Sequence, residues 1–236
     1  MIVRAVFFDW VNTLVHMEPD RHVLSAEVCR EFGIDVSPRD ILRGIYAAEE
    51  EMPAGRPLRW AADDDPEMYL RYNDRVLTEA GVTPPNRTTA AAMLQQFAER
   101  FREIRFVAFD DVRPALESLR SRGITIGLIS NMPHPMQPML QKLKLDDLLD
   151  FAVTPLDVEG RGKPAAPIFL EALRRAGATA EEAIHVGDEH FVDGKGARAT
   201  GITPVILDRH DLFPSLQGYH RITTLAQLSD VLDGLA

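Results

Sequence analysis

Residues 3–14 read Val3-Arg4-Ala5-Val6-Phe7-Phe8-Asp9-Trp10-Val11-Asn12-Thr13-Leu14. Val3 to Phe8 is short, apolar and rich in β-branched and aromatic residues, the composition of a buried strand. It delivers a lone carboxylate, Asp9, into the turn that follows. A carboxylate at the carboxyl end of a buried strand stands where open α/β sheets place their ligands.

Working outward, the chain from Phe106 onward alternates strands and helices. Ile124 to Ile129, Phe151 to Val153, Ala183 to Val186 and Thr203 to Leu207 read as strands. Val112 to Arg122, Ile168 to Ala176, a stretch starting at Lys195 and Leu225 to Leu235 read as helices. Such alternation implies a parallel sheet covered on both faces. Residues 16–105 read instead as nearly all helix. Ser37-Pro38-Arg39-Asp40 carries an N-cap serine, a proline at the first helical position and an acid in the first turn, starting a helix that runs to about Glu51. Pro66 to Ala80 and Thr88 to Phe101 supply two more, with Tyr69, Tyr72, Val76 and Met93, Phe97, Phe101 at helical spacing as core residues. The expected fold class is α/β, a doubly wound parallel sheet, with a core of residues 1–15 and 106–236. A helical domain of residues 16–105 is inserted after the first strand.

Composition narrows the function. With 45% hydrophobic and 26% charged residues in 236, the chain can bury a core without disulfides. Its single cysteine, Cys29, reads as a helix-packing residue and fits a reducing compartment. A net charge of −10 argues against nucleic acid or an anionic membrane as partner. No apolar run approaches the roughly 20 residues of a membrane span. The chain opens directly into its first strand without a signal-peptide pattern, so the expected location is the cytoplasm. Asn86-Arg87-Thr88 matches a glycosylation sequon that a cytoplasmic protein does not use.

The polar residues at the strand ends form a short list. The first strand ends at Asp9, the strand Ile124 to Ile129 at Ser130-Asn131, and Ala183 to Val186 at Gly187-Asp188, with a further acid at Asp193. Lys163 follows the loop Gly160-Arg161-Gly162 and opens a helix. That loop lacks the Gly-x-x-x-x-Gly-Lys-Ser/Thr frame of a phosphate-binding P-loop. Taken singly, each residue also fits a turn, a helix cap or a surface. Their joint occurrence in this order points to one polar crevice at the carboxyl ends of the strands.

On those residues the chain resembles the haloacid dehalogenase (HAD) superfamily of hydrolases. The family's first motif, Asp-x-Asp-x-Thr, is similar to Asp9-Trp10-Val11-Asn12-Thr13. Its second falls on Ser130 and its third on Lys163-Pro164. Its fourth falls on Gly187, Asp188, Asp193, Gly196 and Ala197. The match runs in order over roughly residues 3 to 207, and the insert looks like a helical cap of the family's first cap class on a Rossmann-like core. The resemblance implies Asp9 as a nucleophile that forms an aspartyl intermediate. It also implies Mg²⁺ held by Asp9, the Val11 carbonyl and Asp188, with Asp193 supporting or joining them. Ser130 would donate to the transferring group and Lys163 would neutralise charge. Asn12, Thr13 and Asn131 are expected to bind substrate.

The departure is Val11, where phosphatases of the family carry a second Asp that protonates the leaving oxygen and activates water. General acid–base catalysis contributes roughly 10² to 10⁴ in rate, so its loss costs about 3 to 5 kcal/mol. His16 and Glu18 lie just beyond the motif as possible substitutes, with the loop surface as their plainer reading. The dehalogenases of the family place a tyrosine at this position and use no metal, whereas Asp188 and Asp193 are kept here. Phosphonoacetaldehyde hydrolases have a motif similar to Asp-Trp-Ala-Gly-Thr but need a cap lysine, and residues 16–105 contain none. The expectation is a Mg²⁺-dependent, phosphatase-like hydrolase of a small phosphorylated metabolite, as monomer or homodimer. The alternatives are a 2-haloacid dehalogenase-like hydrolase and a non-catalytic binder of a phosphorylated ligand. Among the insert's arginines, Arg39, Arg43, Arg56, Arg59 and Arg71, an anion clamp could be hidden. Trp60 could line the site's mouth.

Overall fold

The computed structural model describes residues 2–50 and 65–235. They divide into two compact units, one holding Met1–His16 and Val107–Ala236, the other the helices between. Glu51, Arg56, Arg59, Trp60, Asp63 and Asp64 lie outside the described residues.

The first unit is built on a six-stranded parallel sheet. In chain order its strands are β1 (Ala5–Phe8), β4 (Thr125–Ile129), β5 (Phe151–Val153), β6 (Ala183–Gly187), β7 (Thr203–Leu207) and β8 (His220–Ile222). They lie side by side as β5-β4-β1-β6-β7-β8. Strand β1 is central, with Ala5–Phe8 in register against Thr125–Leu128 on one side and Ala183–Val186 on the other. All four residues of β1 are fully buried, as an apolar run in a doubly covered parallel sheet requires. Ala5 and Phe7 pack with Ile168, Phe169 and Ala172 of α7 (Ala166–Ala176). Val6 and Phe8 point to the opposite face by strand alternation. Helix α5 (Val112–Ser121) buries Val112, Leu116 and Leu119, and α9 (Leu228–Leu235) buries Leu228 and Leu232.

The second unit contains α1 (Arg21–Glu31), α2 (Pro38–Glu50), α3 (Pro66–Glu79) and α4 (Arg87–Phe101). Tyr72, Val76, Met93 and Phe97 enter one apolar cluster with Cys29, whose thiol burial pushes up to about 11. The sequon residue Asn86 caps α4 by accepting from Thr89 N at 3.0 Å, and Asp65 caps α3 through Glu67 N. Strands β2 (Val15–Glu18) and β3 (Arg105–Ala108) pair as a two-stranded sheet. Neither α1, β2, β8 nor the short α6 (Gln137–Lys142) was marked by the sequence pattern. Helix α1 has buried residues at 22, 24, 26, 28 and 29, a spacing that blurs the helical stripe.

Several helix starts differ from the sequence expectation; α9, for one, begins at Leu228 and not at Leu225. Lys163 does not open α7, which begins three residues later at Ala166, so Lys163 is a loop residue. The segment after β6 is a π-helical turn, His190–Lys195, running into α8 (Gly196–Ala199). Among the described residues no helix is long and apolar enough to cross a membrane.

Candidate active site

The topology puts the strand-end residues together. Chain order places β4 and β5 on one side of β1 and β6, β7 and β8 on the other, so the strand order reverses at β1. That is the switch point where open α/β sheets bind ligands. Asp9 leaves β1 there, its N–H bonded to Val186 O at 2.9 Å. Ser130 leaves β4 with its N–H on Val153 O at 3.0 Å, and Asp188 leaves β6.

The turn after Asp9 is closed by its own backbone. Leu14 N and Val15 N both donate to Trp10 O, and Asn12 N donates to Val15 O at 2.7 Å. Asn12 sits at φ 60°, a left-handed conformation that asparagine tolerates better than most side chains. From there its amide Nδ2 donates to Asp188 Oδ2 at 3.1 Å. Val11 is half-buried beside this turn, and Thr13 is fully buried.

Asp193 reaches the site from the π-helical turn, which folds its carboxylate back toward β6. Glycine at 187 makes this possible, because a Cβ there would collide with the Asp193 carboxyl group. Gly187→Ala is therefore expected to displace Asp193 and cost about 1–3 kcal/mol of stability, read as a lowered Tm. A Tm at or above that of the parent protein would contradict this packing.

Oxygen atoms of Asp9, Asp188 and Asp193 lie within 4.8 Å of one another. Lys163, 3% exposed, bridges two of them, its ammonium meeting Asp9 and lying 2.7 Å from Asp193 Oδ1. Burial raises the Asp9 pKa, Asp193 adds to that, and Lys163 opposes it. Burial works against ionisation of Asp193, but Lys163 and His185 outweigh it and hold that carboxyl well below the usual range. Burial likewise opposes the Lys163 ammonium, and the two carboxylates overcome it and keep the amine charged. Three acids and one lysine leave an excess of negative charge, which a buried site carries at high cost without a cation. The donors are all hard oxygens, a set suited to Mg²⁺ or a similar divalent ion. The residues present therefore fit a metal.

Three side chains support these residues, and two of them, His185 and Arg209, were not legible in the motif pattern. His185 of β6 is fully buried, with Nε2 at 2.8 Å from Asp193 Oδ1, and burial holds its pKa below the ordinary value. A polar residue between Ile184 and Val186 in an otherwise apolar strand was the available signal. Asn131, expected to bind substrate, is joined through both ends of its amide to the backbone of Lys163. Arg209, beyond β7, donates to Thr13 O at 2.9 Å and forms a bidentate pair with Asp111 at 2.9 Å. Its guanidinium lies 3.8 Å from the Phe109 ring centre. Asp111 in turn accepts from Thr224 Oγ1 and Leu225 N.

The remaining expectations are placed as follows. Ser130 is buried and its Oγ accepts from Met132 N at 3.2 Å. Glu18 pairs with Arg105 at 2.9 Å, both exposed at one end of the β2–β3 sheet, and the His16 ring packs 5.1 Å from Phe109. Arg43 pairs with Asp40 and Arg71 with Glu67, both on exposed helix surface.

Residues 3–201 match the family of haloacid dehalogenase-like hydrolases. The chain is 33% identical over 219 residues to haloacid dehalogenase-like hydrolase domain-containing protein 3 of Danio rerio, covering 89% of this chain and 86% of that protein. It is 27% identical over 235 residues to the ribulose-1,5-bisphosphate 5-phosphatase of Halopiger xanaduensis, covering 98% and 95%. In fold it is similar to a HAD family hydrolase from Deinococcus radiodurans R1 solved with bound phosphate and sodium. That likeness has a TM-score of 0.68 at 20% identity, over 99% of this chain and 96% of that one.

Proposed function

This chain belongs to the haloacid dehalogenase-like hydrolases, and we propose that it is a Mg²⁺-dependent phosphatase acting on a small phosphorylated metabolite through Asp9. The observation that carries the reading is the cluster of half-buried Asp9 with buried Asp188, Asp193 and Lys163 at the sheet's switch point. The relative from Halopiger, a phosphatase by name, adds support. Residues 16–105 would serve as the cap.

In this reading a carboxylate oxygen of Asp9 attacks phosphorus and the bond to the leaving oxygen breaks, giving an aspartyl phosphate. Water then attacks that phosphorus, releasing phosphate and restoring the carboxylate. Ser130 donates its hydroxyl to the transferring group, and Lys163 balances charge on Asp9 and on the phosphoryl oxygens. Asp9, the Val11 carbonyl, Asp188 and Asp193 would hold Mg²⁺, which when bound neutralises charge on the transferring phosphoryl group. Asn12 steadies Asp188 through its amide.

Val11 supplies no proton to the leaving oxygen. The site therefore favours leaving groups stable as anions, such as those of acyl and aryl phosphates. The expected result is a kcat/KM that falls steeply as the leaving-group pKa rises, measured with Mg²⁺ across a series of aryl and alkyl phosphates. A flat dependence would sink the proposal. Halide release from 2-haloacids without metal would move the assignment to a dehalogenase, against which the retained Asp188 and Asp193 argue.

A further inference from the structure

Asn131 follows Ser130 directly and lies at the end of β4. Its Nδ2 donates to Lys163 O at 2.9 Å, and its Oδ1 accepts from Lys163 N at 2.6 Å. One side-chain amide thus grips the main chain on both sides of the Lys163 Cα. Room for that grip comes from glycine at 162, because a Cβ there would overlap Asn131 Oδ1. From the clamped Cα the lysine stem carries its ammonium to Asp9 and Asp193.

The clamp matters because of the side chain it holds. Lysine is a compact charge on a flexible four-carbon stem, and freezing such a stem costs rotamer entropy. Two carboxylates can fix the ammonium only if the stem starts from the right place. A backbone shift of about 1 Å is enough to lose a hundredfold in rate. We infer that Asn131 is a positioning residue that acts through Lys163 and not through the substrate. The inference rests on the reading of Lys163 as the charge-neutralising partner of Asp9.

A double-mutant cycle with Lys163→Met on the Mg²⁺-loaded enzyme tests it. Asn131→Ala alone is expected to lower kcat about ten- to a hundredfold, with KM changed less than about threefold. In the Lys163→Met background the same change is expected to do nothing more. An additive loss, or a raised KM with kcat kept, would place Asn131 on the substrate and overturn the inference.

A second measurement needs neither turnover nor metal. In the metal-free protein, limiting acetic anhydride should modify Lys163 several-fold faster in Asn131→Ala, with Lys142, Lys144 and Lys195 unchanged. An unchanged Lys163 rate overturns the inference, and so does a uniform rise across all four lysines, which would mark loss of the fold. Asn131→Ser serves if the alanine variant does not fold. If the parent protein shows no Asp9-dependent turnover, the phosphatase reading fails while this labelling still decides the role of Asn131.

Discussion

Asp9→Asn is expected to abolish Mg²⁺-dependent phosphate release, with kcat reduced by at least about 10⁴-fold, because it removes the proposed nucleophile and not merely a contact. The carboxamide is neutral, cannot attack phosphorus and no longer balances Lys163. The fold should survive the change, since Lys163 keeps its bond to Asp193 and β1 keeps both neighbours. Burial already disfavours ionised Asp9, and Asp193 adds repulsion. Removing that charge should therefore leave the metal-free Tm equal or higher, which calorimetry reads directly. Unchanged turnover in Asp9→Asn would end the enzymatic reading and leave a binder of phosphorylated ligands.

Val11→Asp is expected to work in the opposite direction. It restores a carboxylate two residues after Asp9, where a group could protonate the leaving oxygen and then activate water. The gain should be selective, about 10² to 10⁴ in kcat/KM for alkyl phosphates, or roughly 3 to 5 kcal/mol. Aryl and acyl phosphates, which leave without a proton, should gain little. The ratio of alkyl to aryl turnover is the quantity to measure. If both classes rise together, or neither does, proton delivery is not what limits this site. Val11 is only half-buried, so the new carboxylate has access to solvent and need not unfold its turn.

Much of the core was readable because its signals are local. A run such as Val6-Phe7-Phe8 has one comfortable place, a strand covered on both faces, and four such runs with helices between them dictate a parallel sheet. Asp9, Ser130 and Asp188 were found because each follows its strand directly. Asp193 and Lys163 were readable only through motif spacing, since both sit in segments without a strong period. The Lys163 loop and the π-helical turn at His190–Lys195 show why. In each, the backbone path is set by what the side chains meet across the site. The supports were hidden for a related reason. His185 looks like one polar interruption in a strand, and Arg209 like any arginine after one. Their partners lie 8 and 196 residues away. Strand β2 and helix α1 were missed because their burial does not follow a clean stripe.

The bond from Arg209 to the Thr13 carbonyl ties the first turn of the sheet to a residue 196 positions later. Asp9 through Asp193 precede Arg209 in the chain and contain every group proposed for the chemistry. The turn after Asp9, closed by its own backbone, gains a further brace from Arg209, and Asp111, which pairs with Arg209, accepts its remaining donors from Thr224 and Leu225. A chain cut after α8 would possess the clustered carboxylates without the bond from Arg209 to the turn beside Asp9. The turn beside Asp9 is thus tied to residues that follow β7 and β8, well beyond the carboxylates in the chain.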